Sequence, residues 1–219
     1  MADICGHPML WHVVRRVQAI NRLDGVALAI PETPADDCLQ SIAQELGIAC
    51  VRGSEYDVLQ RYYRAAQETR ADVIVRVTSD CPLFDPWIGN RALMQYLSTD
   101  ADYVCAGAGM LAAADIGFPQ GTDLEIMSYR VLECVWREAK SQYNREHVTP
   151  FIYQHPELFN IGTLKPIGRE RRPELKFSVD TEKDLELVRA IYGRLYKDKP
   201  FSLDSVILML DRHPELLEG

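Results

Sequence analysis

Long apolar runs are missing from this chain. Nothing in its 219 residues approaches the ~18 consecutive apolar residues that a membrane-spanning helix requires. The first residues show no basic-then-apolar leader pattern either. Basic charge is short: 24 Lys and Arg stand against 32 Asp and Glu, a net charge of -8, so no extended basic face offers itself to a nucleic acid. Cys5, Cys38, Cys50, Cys81, Cys105 and Cys134 have no C-x-x-C spacing, which argues against a disulfide framework or a zinc site. They read as reduced, mostly buried thiols of a cytoplasmic protein. His7, His12, His155 and His213 show no metal-ligand spacing, and no Ser-His-Asp or Cys-His arrangement is present. There is no repeat, low-complexity tract or linker. That leaves a single domain over 1–219.

What is present is an ordinary globular composition, 47% hydrophobic and 26% charged, in which strand-like and helix-like stretches alternate. Met9, Leu10, Val13, Val14 and Val17 mark one face of a helix. Residues 25–30 read as a buried strand closed by Pro31. Leu39, Ile42 and Leu46 mark a second helix that ends at Gly47, and 48–51 a short strand. Ser54 and Asp57 fit a Ser-x-x-Asp capping signal ahead of a third helix with Val58, Leu59, Tyr62, Tyr63 and Ala66 inward. Asp72-Val-Ile-Val-Arg-Val-Thr-Ser-Asp-Cys-Pro82 follows. Its aliphatic run reads as a strand buried on both faces and stopped by Pro82, with a helix over 86–97 behind it. Past a small-residue stretch at 107–117, the pattern predicts a strand entering Met127, helices over 129–140 and 145–154, strands over 159–164 and 175–179, and two closing helices. Asp180 or Thr181 is the N-cap of the first of these. Alternation of this kind predicts an α/β fold with a doubly wound, mixed, mostly parallel sheet.

Two carboxylates stand out. Asp80 and Asp180 each follow a predicted buried strand, at the end where ligands bind in open α/β sheets. Two such aspartates suit Mg2+, which takes one or two carboxylates with phosphate oxygens and water. Each also suits plain capping of the turn that follows. Asp123 and Glu125, two residues apart on a strand, share a face that either receives sugar hydroxyls or is simply polar. Arg145-Glu-His147 sits near a predicted helix start, where Arg145 and His147 suit a carboxylate or phosphate as well as a solvated first turn. Arg169-Glu-Arg-Arg172 reads as a charged surface loop.

Several stretches together carry a resemblance. They are Ile4-Cys-Gly-His-Pro-Met-Leu10, Gly53-Ser-Glu-Tyr-Asp-Val-Leu-Gln-Arg-Tyr-Tyr63, Val77-Thr-Ser-Asp-Cys-Pro-Leu83, Pro119-Gln-Gly-Thr-Asp-Leu-Glu125, Arg145-Glu-His-Val-Thr-Pro150 and Ser178-Val-Asp-Thr-Glu-Lys-Asp-Leu185. In this order the chain resembles the nucleotide-sugar cytidylyltransferases of the acylneuraminate and deoxy-octulosonate group, most of all their spore coat polysaccharide F-like branch. The resemblance implies a glycosyltransferase-A-like fold and transfer of a cytidylyl group from CTP to a sugar acid or sugar phosphate, with release of pyrophosphate. It implies Mg2+ on Asp80 and Asp180, and sugar contacts at Asp123, Glu125, Arg145 and His147. Nucleotide contacts fall at Gly6, Ser54, Asp57 and Ser79, and a homodimer is built around 103–165. Two departures go with it. The family's first strand and Arg/Gly/Lys phosphate loop lie before the point where this sequence starts, which reads as an N-terminal truncation, and the family's Gly-Lys-Pro is Gly6-His7-Pro8 here. The departures keep a non-catalytic dimeric scaffold of the same fold as the alternative. A glycosyltransferase using a finished nucleotide-sugar ranks third, because no Asp-x-Asp metal motif is apparent.

Overall fold

In the computed structural model, residues 2–107 and 117–217 are described. A two-residue antiparallel hairpin, β1 (Asp3–Ile4) with β2 (His7–Pro8), turns at Cys5 and Gly6, both at positive φ. It feeds α1 (Met9–Gln18), which buries His12, Val13, Val14 and Arg16. A first βαβ unit follows. Strands β3 (Ala27–Pro31) and β4 (Ala49–Gly53) pair in parallel from Ala27 opposite Ala49 to Pro31 opposite Gly53, joined by α2 (Asp37–Glu45). Helix α3 (Val58–Thr69) then leads to β5 (Val73–Arg76) and on to α4 (Pro86–Ser98) and β6 (Tyr103–Ala106). Beyond 117 come β7 (Leu124–Ser128), α5 (Tyr129–Glu138), α6 (Gln142–His147), α7 (Pro150–Gln154), β8 (Ile161–Thr163), α8 (Glu182–Leu195) and α9 (Leu203–Arg212).

The second sheet has the order β5-β7-β6-β8, with β7 antiparallel to both neighbours and β6 parallel to β8. Strands β5, β6 and β8 therefore point one way and β7 alone the other, the mixed and mostly parallel α/β architecture that the alternation predicts. The main hydrophobic core joins Tyr103, Val104 and Ile126 of this sheet to Ile88 and Ala92 of α4, Val188 and Ile191 of α8, and Val206 and Ile207 of α9. Ile30, Ile42, Ala43 and Val51, around β3 and β4, are buried outside that cluster. A buried guanidinium ties α1 to the far side. Arg16 is 2% exposed and donates to Tyr192 Oη at 2.9 Å and to the Phe84 and Phe201 carbonyls at 3.0 Å each.

Several expectations need correction. Strand β5 stops at Arg76, well short of Pro82. All of its residues are half-buried, and among the described residues its outer edge pairs with no other strand. The predicted strand over 175–179 is one bridge between Gln120 and Lys176. The single helix over 145–154 is two, broken where Val148 adopts φ 74°. Ser54 is not the cap of α3. Asp57 is, with its carboxylate accepting from Gln60 N at 2.9 Å, while Ser54 Oγ accepts from Asp57 N. At the start of α8, Thr181 is the N-cap and Asp180 is not. Of the six thiols only Cys81 and Cys105 are buried, and none is paired. Most of the small-residue stretch at 107–117 lies outside the described residues.

Candidate active site

The carboxyl end of β5 opens into a turn in which Cys81 N donates to the Thr78 carbonyl at 3.3 Å. This turn presents Ser79, exposed, and Asp80, half-buried. A second segment is fastened to it: Val179 N donates to the Asp80 carbonyl at 2.9 Å. Asp180, the next residue, accepts from Ser178 Oγ at 3.2 Å and pairs with Lys176 at 2.8 Å. Lys176 also pairs with Asp184 at 2.6 Å. That contact, with the Asp180 and Thr181 N–H groups and the Thr181 hydroxyl, pulls the Asp184 carboxyl down to about 2.

Glycine makes the close approach possible. Gly121 has φ +84°, and a Cβ there would run into the Phe177–Ser178 backbone. Gln120 N donates to Leu175 O at 2.9 Å, and Phe177 N to Gln120 O at 2.7 Å, so the two segments lie backbone to backbone. Gly107, φ +101°, lies against Asp123 in the same way. Because β7 runs against β5 and β6, residue 123 just before β7 stands at the same end as residues just after β5 and β6. Asp123 accepts from Gly121 N at 3.2 Å. Burial, then the charges of Asp80 and Asp123, push the Cys81 thiol far up. Asp80, Asp123 and Asp180 thus gather at one end of the sheet.

Glu125 has a different setting. It is 4% exposed, and its carboxylate accepts from Tyr103 Oη and Thr149 Oγ1 at 2.6 Å each and from Tyr153 Oη at 3.0 Å, besides its ion pair with Arg76. Burial alone would raise its pKa. The Arg76 guanidinium and the Thr149 and Tyr103 hydroxyls outweigh that and hold it below the usual carboxylate value. The Arg76 guanidinium also lies over the Tyr62 ring. The polar strand face read from Asp123 and Glu125 is therefore split. Asp123 precedes the strand at its open end, and Glu125 is sealed inside.

Arg145 and His147 occupy the last turn of α6, not a helix start. Arg145 donates Nε to Asp57 Oδ2 at 2.9 Å, with Nη2 on the same oxygen, and Nη1 to the Trp136 carbonyl at 2.8 Å. Ser54, Asp57 and Arg145 are thus brought together. His147 is exposed, with its ring 4.5 Å from that of Tyr143. Gly6 turns the β1–β2 hairpin. Among the described residues, neither is hydrogen-bonded to Asp80 or Asp180.

Two residues of this region escape sequence reasoning. Arg76 had a signal, a lone charge inside an aliphatic strand, which demands a buried partner. Lys176, between Leu175 and Phe177, has the same signature. Among the described residues, no group of three or more His, Cys, Asp or Glu side chains is placed to hold a metal unaided. The backbone bond from Val179 to Asp80 sets the two segments side by side, while the Asp180 carboxylate itself lies on Lys176 and Ser178.

With this geometry in view, a model of the family "Cytidylyltransferase" matches residues 1–204. An uncharacterized protein of Methanocaldococcus jannaschii is 32% identical over 209 residues, 93% of this chain and 80% of that protein. The spore coat polysaccharide biosynthesis protein SpsF of Bacillus subtilis is 27% identical over 193 residues, 88% of this chain and 77% of that protein. The solved structure of a cytidylyltransferase from Leptospira borgpetersenii superposes with a TM-score of 0.89 at 24% identity, over 99% of this chain and 88% of that one. The chain belongs to the cytidylyltransferase family.

Proposed function

We propose that the chain transfers a cytidylyl group from CTP to a sugar acid or sugar phosphate, in a step that activates a sugar for a surface polysaccharide. The observation that carries this reading is the Val179 N to Asp80 O bond, which holds the segments bearing Asp80 and Asp180 side by side at the end of the sheet. Mg2+ held by Asp80 and Asp180 would neutralise charge developing on the triphosphate. An oxygen of the sugar attacks the α-phosphorus as the bond from that phosphorus to the bridging oxygen breaks, and pyrophosphate leaves. Such chemistry needs positioning and charge neutralisation rather than a covalent intermediate.

The chain's own residues have distinct parts in this reading. Lys176, paired with Asp180 and Asp184, would be the cation that meets the leaving group in this reading. Asp123, with its backbone neighbours fixed by Gly107 and Gly121, stands where acceptor hydroxyls would be oriented. Arg145 and His147 supply cationic or hydrogen-bonding character on the acceptor side, while Ser54, Asp57, Ser79 and Gly6 belong to the nucleotide side. Glu125 serves from behind, holding Arg76, Thr149 and Tyr153 in register. The resemblance also favours a cytoplasmic homodimer assembled through 103–165. The deciding experiment is pyrophosphate release from CTP with Mg2+ over a panel of sugar acids and sugar phosphates. Turnover with one class of acceptor supports the reading. A folded chain that neither binds CTP with Mg2+ nor releases pyrophosphate favours the scaffold alternative.

A further inference from the structure

The donors of Arg16 are only partly used. The residue is 2% exposed, and its Nε and Nη1 go to Tyr192 Oη and to the Phe84 and Phe201 carbonyls. Among the described residues, its Nη2 has no hydrogen-bond partner. A guanidinium stays charged in any protein, and folded proteins rarely leave a buried donor of this kind unanswered. Arg16 lines a cavity of about 90 Å³ between α1 and the end of α8.

The walls, charge and size of this cavity together set what fits it. The walls are rings. Buried His12 packs edge-on against Trp11 and Tyr196, with centroids 5.1 Å away in each case, and lies 4.6 Å from the ring of Tyr192. Rings packed on one another in this way hold flat apolar surfaces in place. The charge is positive. Arg15, Arg16 and Lys199 line the cavity against a single carboxylate, Asp198, in a chain whose net charge is -8. Arg15 and Lys199 are exposed, and the Arg15 guanidinium lies 5.6 Å from the Trp11 ring. The size is small. Water takes about 30 Å³ of liquid per molecule, so the space suits roughly three waters or one small ring.

We propose that this cavity binds a small aromatic carboxylate. The carboxylate meets the unused Arg16 donors in a field to which Arg15 and Lys199 add, and the ring covers the aromatic walls. A bare inorganic anion would answer the cations and leave the ring faces uncovered. A neutral ring would cover the walls and leave the guanidinium unanswered. The site is separate from the end of the sheet that carries Asp80 and Asp180. Tyr192 lies about three turns down α8 from its N-cap, Thr181, roughly 15 Å along the axis.

The chain reports on this cavity through its own tryptophans. Trp11 lines it, while Trp87 is exposed elsewhere on α4 and Trp136 stacks on Tyr63. Benzoate titrated into the full chain, followed by the indole N–H signals in ¹H–¹⁵N spectra, is the test. Benzamide and inorganic phosphate are the controls. The expected result is a saturable shift of the Trp11 signal alone, with a Kd of about 1 mM or tighter, the range open to so small a ligand. Benzamide and phosphate should each bind at least roughly tenfold more weakly. Joint replacement Arg15→Gln and Lys199→Gln, at exposed positions, should weaken benzoate on the order of tenfold. No saturable shift of Trp11, or equal shifts of all three indoles, would overturn the proposal. Benzamide binding as tightly as benzoate would overturn it by removing the anion, and phosphate doing so would remove the ring. Benzoate binding unchanged in the double variant would overturn it too.

Discussion

Asp123 and Glu125 lie two residues apart, and the fold treats them oppositely. Asp123 stands at the open end of the sheet beside Asp80 and Asp180, where glycines let backbones meet and carboxylates stay accessible. Glu125 is closed over by Arg76, Tyr103, Thr149 and Tyr153. The contrast separates two kinds of polar residue in one chain. At the open end, substitution should change what the protein binds. In the sealed hub, it should change whether the protein holds together.

The largest effect on stability is expected at the hub. Glu125→Ala leaves the Arg76 guanidinium buried without its counter-charge, and urea denaturation should show a loss of about 3–5 kcal/mol. A loss below about 0.5 kcal/mol, the range of an ordinary surface substitution, would break the comparison. Next comes the open end's scaffold. Gly121→Ala forces a side chain into the left-handed region and against the 177–178 backbone, so about 1–3 kcal/mol of strain is expected. The thermal midpoint reports it. A normal midpoint would mean that the segments do not need to approach so closely.

Asp57→Ala removes both a helix cap and the Arg145 partner, with an expected loss of about 1–2 kcal/mol. A double-mutant cycle with Arg145→Ala separates the cap from the ion pair. The smallest effect is a pH dependence. Burial, offset in part by the bond between Nε2 and the Ile4 carbonyl, lowers the His12 pKa from its ordinary 6.5. The unfolded chain therefore takes up this proton first as pH falls. The stability owed to neutral His12 is full above about 6.5 and declines below it toward the lowered folded value. His12→Gln should flatten urea midpoints measured between pH 7.5 and 5.5, relative to the parent chain.

How much of this was legible depends on whether the determining contact is local. Helix faces, the α/β alternation and the order of elements follow from side-chain periodicity, which a short window contains. Asp80 was legible as a carboxylate beyond a strand, although β5 stops at Arg76 and Val77 continues the apolar pattern after the backbone has left the sheet; Asp180 was not, since the segment before it forms one bridge rather than a strand. The break near Val148 had a signal in Pro150, which starts a new helix, but nothing in Glu-His-Val-Thr announces a valine at positive φ. The burial of Glu125 was hidden for a different reason. Its partner Arg76 lies 49 residues away on the neighbouring strand, and a strand's second neighbour is not written in its own pattern. The same holds for Asp57, whose role as cap and as anchor for Arg145 joins residues 88 apart.

The central claim is that the open end, and Asp80 in particular, serves binding rather than folding. Calorimetric titration of CTP into the full chain and into Asp80→Asn, with and without Mg2+, tests it most directly. The account predicts Mg2+-dependent binding by the parent chain, weakened more than roughly tenfold in the variant, the scale seen when a metal's ligand environment is disturbed. Unfolding free energies of the two should agree within about 0.5 kcal/mol. A variant that binds CTP as tightly as the parent chain, with the same Mg2+ dependence, would contradict it.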